Sequence, residues 1–410
     1  MIQEEILQQL FKTEYRKIIS VLCKLFGMVH IEIAEDIAHD TFLKATETWE
    51  QNGVPENPTA WLYLVAKNKT KDYLKRNHTF TSKIVSDFKD NSNHSDDLEI
   101  DLSSQNIKDS QLQMIFAICD PIIPAEAQIG LALRILCGFG IDELAEAFLT
   151  NKETINKRLY RAKEKLRLST FKIESLHEFE INKRLETVLT TIYLLFNEGY
   201  HSTTNNTYLR KELCLEAMQL NYFLLENNST NKPSVNALMS LMCFHASRFD
   251  SRLTKDGDPV LYDDQNKEFW DDELIQKGNY YLIESAKGNE ISKYHLEASI
   301  AYWHSTKIEN QNKWDHILDL YNQLLQIEYS PMAALNRTYA LSKVFGKEKA
   351  IHEALKLNLV DNQFYHSMLG HLYTNLDTPA AIKHFQMALY LAKTTNDKKI
   401  IENYLTQISQ

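Results

Sequence analysis

The sequence predicts an all-α fold in several helical domains, and three observations carry that prediction. Gly (11) and Pro (8) make up about 5% of the 410 residues, against roughly 12% in average usage, and sheet-rich folds need turns every few residues. Apolar residues recur at three- and four-residue intervals through most of the chain. At 410 residues the chain is long enough for two or three domains, each with its own core. Four segments are expected: a small helical domain at 1–78, an acidic flexible linker at 79–110, a second small helical domain at 111–170, and a larger helical domain at 176–410.

The first domain reads as three helices. Ile6, Leu7, Leu10, Phe11, Ile18, Leu22 and Phe26 form one apolar stripe. Ala34, Ile37, Ala38, Phe42 and Ala45 keep helical spacing and place a second helix at about 31–49. The run Gly53-Val54-Pro55-Glu56-Asn57-Pro58 breaks it, and a third helix covers 59–76 with Thr59 or Asn57 as its cap. Between Asp87 and Asp101 six acids stand against one lysine, among Ser and Asn residues, so little surface is available for burial and a mobile linker is expected. Helical periodicity resumes at 111 and again after 175, with interruptions near Asn205, Asn227–Pro233, Thr254–Asp264 and Ser330-Pro331.

The tail carries a repeat-like signature. Leu369-Gly370-x-x-Tyr373 followed by Ala381-x-x-x-Phe385-x-x-Ala388 resembles the tetratricopeptide pattern, and Trp314-x-x-Ile317 with Tyr321 and Pro331 is a more degenerate copy. Small residues let paired helices approach, and aromatics fill the gap between pairs. Ordinary helix-pair packing accounts for the pattern about as well.

Charge and composition exclude several classes. The net charge is −10, with 21 basic against 25 acidic residues over 1–170 and 24 against 30 over the rest, so nucleic-acid binding must rest on local patches. No run of 18 apolar residues exists, which excludes a membrane-spanning helix. Glu4 and Glu5 stand where a signal peptide needs basic residues, and the five cysteines form no close pair. A cytoplasmic protein is expected.

The strongest local signal runs from Gly140 to Arg167. Ile141, Leu144, Ala145 and Phe148 form one helical face, Leu149-Thr150-Asn151 a short turn, and Ile155, Leu159, Ala162 and Leu166 a second face, with Asn151 as the cap. Two such helices describe a helix-turn-helix. Its second helix holds seven basic residues against two acids, a placed charge in an acidic protein. A second patch follows the Pro58 break, where Lys67, Lys71 and Lys75 recur every four residues beside Trp61, Leu64, Val65 and Asn68. Lysines hold phosphates, while Asn and aromatic side chains engage unpaired bases. Each patch alone is also what a solvated helix face looks like.

Together, their order narrows the choice. Glu35-Asp36-Ile37-Ala38-His39-Asp40-Thr41-Phe42-Leu43-Lys44-Ala45, then Pro58-Thr59-Ala60-Trp61-Leu62-Tyr63-Leu64-Val65-Ala66-Lys67-Asn68-Lys69, resembles the polymerase-binding and promoter-opening segment of bacterial sigma factors. The run from Asn151 to Lys163 resembles their reader of the −35 element, and with two such domains over residues 5–170 the chain resembles the extracytoplasmic-function group of the sigma-70 superfamily. The resemblance implies core RNA polymerase and promoter DNA as partners. It places Asp36, Asp40, Phe42 and Lys44 at the polymerase clamp. It places Trp61, Lys67, Asn68, Lys71, Lys75 and Arg76 at the −10 element, with Asn68 toward a flipped base. Lys152, Glu153, Thr154, Asn156, Lys157, Arg158 and Arg161 fall at the −35 major groove. Ile123-Pro124-Ala125-Glu126-Ala127-Gln128 departs from the usual Leu-Pro signature, and Glu153 and Asn156 replace the usual glycine and lysine. Promoter sequence is therefore not inherited.

Residues 176–410 resemble the long helical extension of one branch of these factors. The likeness rests on Phe196-Asn197-Glu198-Gly199-Tyr200, on Asp256-Gly257-Asp258-Pro259, and on Asp263-Asp264-Gln265-x-x-x-Phe269-Trp270-Asp271. It implies regulation in cis, with Asn197, Glu198, Asp256, Asp258, Asp263, Asp264 and Trp270 as candidate regulatory residues. Phe269 and Trp270 anchor the acidic stretch in this reading, and its carboxylates face the basic helix 152–167. The alternative is a solvated loop.

No glycine-rich phosphate loop, His-Glu-x-x-His or Gly-x-Ser-x-Gly occurs, so no enzyme, metal or cofactor is expected. A calcium loop from Asp256 fails, because Leu261 and Lys267 stand where glycine and glutamate are needed. His295 and His304 read as satisfied packing histidines. The competing function is a helix-turn-helix regulator whose helical extension senses a ligand.

Overall fold

The computed structural model describes residues 2–76, 100–148, 150–168, 178–200, 210–254, 260, 262–307 and 311–408. Among them are 18 α-helices and no strand, so the all-α expectation holds. The chain divides into two compact units, Met1–Ile192 and Tyr193–Gln410.

The first unit opens with α1 (Ile2–Phe26), α2 (Ile31–Asn52) and α3 (Pro58–Arg76). Their apolar stripes meet as expected: Ile18, Leu22 and Phe26 of α1 are buried with Ala34, Ala38 and Phe42 of α2 and Leu62 and Ala66 of α3. Asn57 is the cap that begins α3, its Oδ1 accepting from the Ala60 N–H at 3.0 Å. Tyr63 of α3 donates to Glu14 of α1 at 2.6 Å, and burial together with that bond pushes its phenol well above the usual range.

Next come α4 (Ser104–Ile118), α5 (Ala125–Leu131), α6 (Ile141–Ala147) and α7 (Lys152–Arg167), which do not form a free-standing domain. Helix α4 starts inside the span expected to be linker. Ser103 caps it, and Ile100 and Ile107 are buried against Val21 of α1. Lys24 of α1 donates to Asn106 at 2.8 Å, and buried Arg16 donates to the Leu136 carbonyl at 3.3 Å. The acidic composition ends where these apolar residues begin, so the expectation of a linker reaching 110 is corrected: residues 100–110 are ordered and packed on α1. Residues 77–99 lie outside the described residues.

Helix α8 (Glu178–Tyr200) corrects the second boundary. Its first half belongs to the first unit: Arg184 pairs with Asp120 at 2.9 Å, and the Thr191 hydroxyl donates to Gln128 Oε1 at 2.7 Å. Gln128 in turn donates to the carbonyls of Asp120 and Ile123. The units therefore divide within α8, at Ile192, and not at residue 176.

In the second unit, α9 (Lys211–Leu225), α10 (Pro233–Ala246), α11 (Asp272–Ser285) and α12 (Lys293–Ser305) enclose a core centred on α10, which is buried nearly all round. Gly278 of α11 admits this packing, because a β-carbon there would stand 2.6 Å from the Phe244 ring. Between α10 and α11 the chain makes short 3-10 turns at Tyr262–Asp264 and Lys267–Phe269.

Helices α13 (Lys313–Ile327), α14 (Pro331–Phe345), α15 (Lys347–Leu357), α16 (Gln363–Tyr373), α17 (Thr378–Leu391) and α18 (Thr395–Ile408) then pack each on the next. The repeat signature has a physical basis here. Gly370 of α16 lies flat on Phe385 of α17, where a β-carbon would come within 2.8 Å of the ring, and Ala381, Phe385 and Ala388 are fully buried.

Candidate nucleic-acid interface

Helix α2 presents Asp36 and Asp40 on its exposed side, one turn apart. Asp40 pairs with Lys69 of α3 at 3.2 Å, and exposed Lys44 pairs loosely with Glu47 at 3.8 Å. Phe42 is a correction: it is buried, its ring edge-on to Phe11 at 5.1 Å, so it props α2 on α1 and offers no contact surface. The stripe that predicted a helix also assigned Phe42 to its apolar face, and that assignment outweighs its place in the motif.

On α3, burial of Leu62, Ala66, Thr70 and Leu74 turns the opposite face outward. Asn68, Lys75 and Arg76 are exposed there, and Lys67 and Lys71 are half-buried. Trp61 is half-buried against Trp49 of α2, with ring centroids 5.5 Å apart. It packs the two helices together, so of the residues expected at the −10 element Asn68, Lys75 and Arg76 are the ones fully on the outward face.

Helices α6 and α7 form the expected helix-turn-helix. Leu144, Ala145, Ile155, Leu159, Ala162 and Leu166 are buried, and Asn151 caps α7 by accepting from the Thr154 N–H at 2.8 Å. The outward face shows Lys152, Glu153, Thr154, Asn156, Lys157 and Arg161, all exposed. Thr154, Lys157, Arg158, Arg161 and Lys165 line a groove of about 460 Å³ beside Pro124 and Ala127. A groove edged by four cations matches a phosphate backbone in charge.

Those cations are not all equivalent. Lys152 pairs with Asp142 at 2.6 Å, Lys157 with Glu153 at 2.6 Å, and Arg158 with Glu126 at 3.1 Å while stacking on Phe148. Lys163 and Arg167, beyond the expected reading surface, reach back to Glu35 and Glu32 of α2. His39 and Arg134 add a contact at 3.3 Å from the same side of α2. Sequence reasoning missed this seam. Its only trace was that Glu32, Glu35 and His39 share a face of α2. Arg161 and Lys165 have no ion pair among the described residues and are the cations least committed to the protein itself.

In the second unit, Asn197 hydrogen-bonds Tyr193, and Glu198 is half-buried on α8. Asp264 is exposed and Trp270 is buried, whereas Phe269, expected to anchor the stretch beside it, is corrected: it is 61% exposed. Asp256, Asp258 and the Asp263 side chain lie outside the described residues. Among the described residues no helix is long and apolar enough to cross a membrane.

Comparison with known proteins adds two family matches. Sigma-70 region 2 covers residues 10–79, the span of α1 to α3. A family of unknown function, DUF6596, covers residues 184–286. An uncharacterized protein of Rhizobium meliloti (strain 1021) is 29% identical over 388 residues, covering 93% of this chain and 91% of that protein. No solved structure matches. Region 2 carries with it a role in transcription initiation, with core RNA polymerase and promoter DNA as partners in general terms. The helical architecture, the region 2 match over α1–α3 and the DUF6596 match beyond it support an extracytoplasmic-function-like sigma-70 factor with a long C-terminal extension.

Proposed function

We propose that this chain acts as a sigma factor that docks on core RNA polymerase through the exposed face of α2 that carries Asp36, Asp40 and Lys44. In this reading Asn68, Lys71, Lys75 and Arg76 of α3 hold the opened −10 strand, and Asn156, Lys157 and Arg161 of α7 read the −35 major groove. The unit beginning at Tyr193 regulates these steps in cis. The observation that carries the reading is the cationic groove on α7, which leaves Lys157, Arg161 and Lys165 directed at solvent in a protein of net charge −10. A bland helix pair in an acidic protein has no reason to gather them.

Reconstituted transcription with purified core polymerase tests this. The full chain should make core initiate at a promoter without another sigma subunit, and a chain ending after Tyr200 should initiate at an altered level. A full chain that stimulates transcription only in the presence of a second sigma factor would replace the reading with a classical regulator. Equal activity of the two chains would remove the regulatory role.

A further inference from the structure

Three buried polar atoms without a hydrogen-bond partner gather around the Tyr262 ring: Arg248 Nε, Trp270 Nε1 and His304 Nδ1. The guanidinium carbon of Arg248 sits 4.9 Å from the Tyr262 centroid and 5.9 Å from that of Trp270. The His304 ring stands edge-on to Tyr262 at 5.0 Å. Arg248 is 9% exposed and makes no ion pair with any described residue. A buried guanidinium without a carboxylate is costly to maintain, since a folded interior repays desolvation of a charge only through a counter-charge or dense hydrogen bonding.

The surroundings add positive charge. Lys313 donates to the Tyr262 hydroxyl at 2.9 Å, which itself donates to the His304 carbonyl at 3.0 Å. Burial, Arg248 and Lys313 together push the His304 imidazole down to about 3, so it is neutral near pH 7. Of the described carboxylates close in sequence, Asp250 pairs with Lys211 at 2.5 Å, Asp272 with Lys307 at 2.6 Å, Asp271 caps α11 by accepting from the Leu274 N–H, and Asp264 and Glu268 are exposed. None of these is an ion-pair partner of Arg248. His304 is thus not the satisfied packing histidine that the sequence suggested.

We propose that Arg248, Trp270 and His304 form a binding site for a small oxyanion, a carboxylate or a phosphate group, within the C-terminal extension. The chemistry selects this class. Arg248 and Trp270 offer only donors, which call for an acceptor-only ligand, and a guanidinium's fork of N–H donors matches carboxylate and phosphate oxygens bidentately. Neutral His304 adds one further donor or acceptor at Nδ1, according to tautomer. Tyr262 and Trp270 bound the acidic turn between α10 and α11, so an anion here ties both ends of that turn to Arg248 on one side and His304 on the other.

The test uses the 15N-labelled full chain and follows the Trp270 indole N–H resonance, assigned by its loss in Trp270→Phe. Sodium acetate and inorganic phosphate are titrated separately, with sodium chloride at matched ionic strength as the control. A saturable shift with acetate, phosphate or both is expected, and which anion acts identifies the group recognised. Arg248→Gln should weaken the apparent affinity by about tenfold or more, because a charged, bidentate contact is lost. Hydrogen exchange across residues 262–270 should slow on saturation. A wild-type resonance that moves no further with acetate or phosphate than with chloride overturns the site, a result that needs no variant to fold. A shift retained in folded Arg248→Gln overturns it equally.

Discussion

Glu35 of α2 and Lys163 of α7 form an ion pair across 128 residues of sequence, and little of either side chain remains in contact with water. Arg167 and Glu32 form a second pair, one turn later on α7 and one turn earlier on α2. The helix expected to face polymerase and the helix expected to read DNA are thus joined directly by charge.

Glu35→Gln should destabilise the first unit by about 3 kcal/mol, since it leaves a mostly dehydrated ammonium without its carboxylate. Glu35→Lys combined with Lys163→Glu should recover a large part of the loss seen in either single reversal. Urea unfolding of the four proteins gives the coupling. Strictly additive losses would mean that the two groups do not interact in solution.

Replacing Asp36 and Asp40 with Arg should weaken binding to purified core polymerase at least tenfold while the fold is kept. The only described pair disturbed is the exposed one between Asp40 and Lys69, a contact worth about 0–1 kcal/mol. Binding assays with parallel thermal melts separate the two effects. Full affinity in the folded variant would take this face of α2 out of the polymerase contact.

Lys157→Ala and Arg161→Ala should each lower promoter-directed initiation and reduce the slope of log affinity against log salt by about one unit. Core binding should be unaffected, because both side chains lie on the outward face of α7. Loss of core binding would reassign the helix.

How much of this was legible in the sequence depends on how local the cause is. The Asn151 cap, the buried faces of α6 and α7, and the fit of Gly370 on Phe385 are settled by neighbours a few turns apart, and all were readable. A stripe announces that a face will be buried, but not against what. That is why the seating of α4 and α7 on α1 and α2 was missed, and why Trp61 was assigned to DNA when Trp49 already occupied its face. Helix α8 makes the same point. Its apolar stripe runs unbroken from Ile181 to Phe196, while the partner it serves changes at Ile192.

The stability of the second unit should fall as pH rises from about 4.5 to about 7. Burial raises the Glu297 carboxyl to about 7, against the opposing effects of the Tyr193 hydroxyl and Lys293, and Glu328 adds to the rise. The native state then holds a proton that the unfolded chain has released, so stability is fully present below about pH 4.5 and lost through about pH 7. Glu297→Gln should flatten that decline and raise stability near pH 7.5 by about 1–3 kcal/mol. Melting profiles across this range check it, and an unchanged slope in the variant would assign the dependence to another group.

Gly370→Ala should destabilise the tail by about 1–3 kcal/mol, since the added carbon meets the Phe385 ring at 2.8 Å. Combining it with Phe385→Leu should recover part of the loss, as seen in thermal melts. A neutral Gly370→Ala would show that α16 and α17 have room to part.

Residues 77–103, which join α3 to α4, number 27, and fully stretched they reach at most ~90 Å. Two duplex elements about 25 base-pair steps apart stand ~85 Å from each other. A packed body of 192 residues measures only ~40 Å across, from a radius of gyration of ~16 Å. If α3 and α7 engage the two elements as proposed, the first unit closed by Glu35 and Lys163 is too short to lie on both at once, and the seating of α4 on α1 through Ile100, Ile107 and Asn106 must open along with that seam before the joining segment can span them. In the proposed reading, the separation of the promoter elements and the length of this stretch of chain are comparable quantities. Deleting some ten residues from it should abolish simultaneous engagement while leaving each surface competent alone.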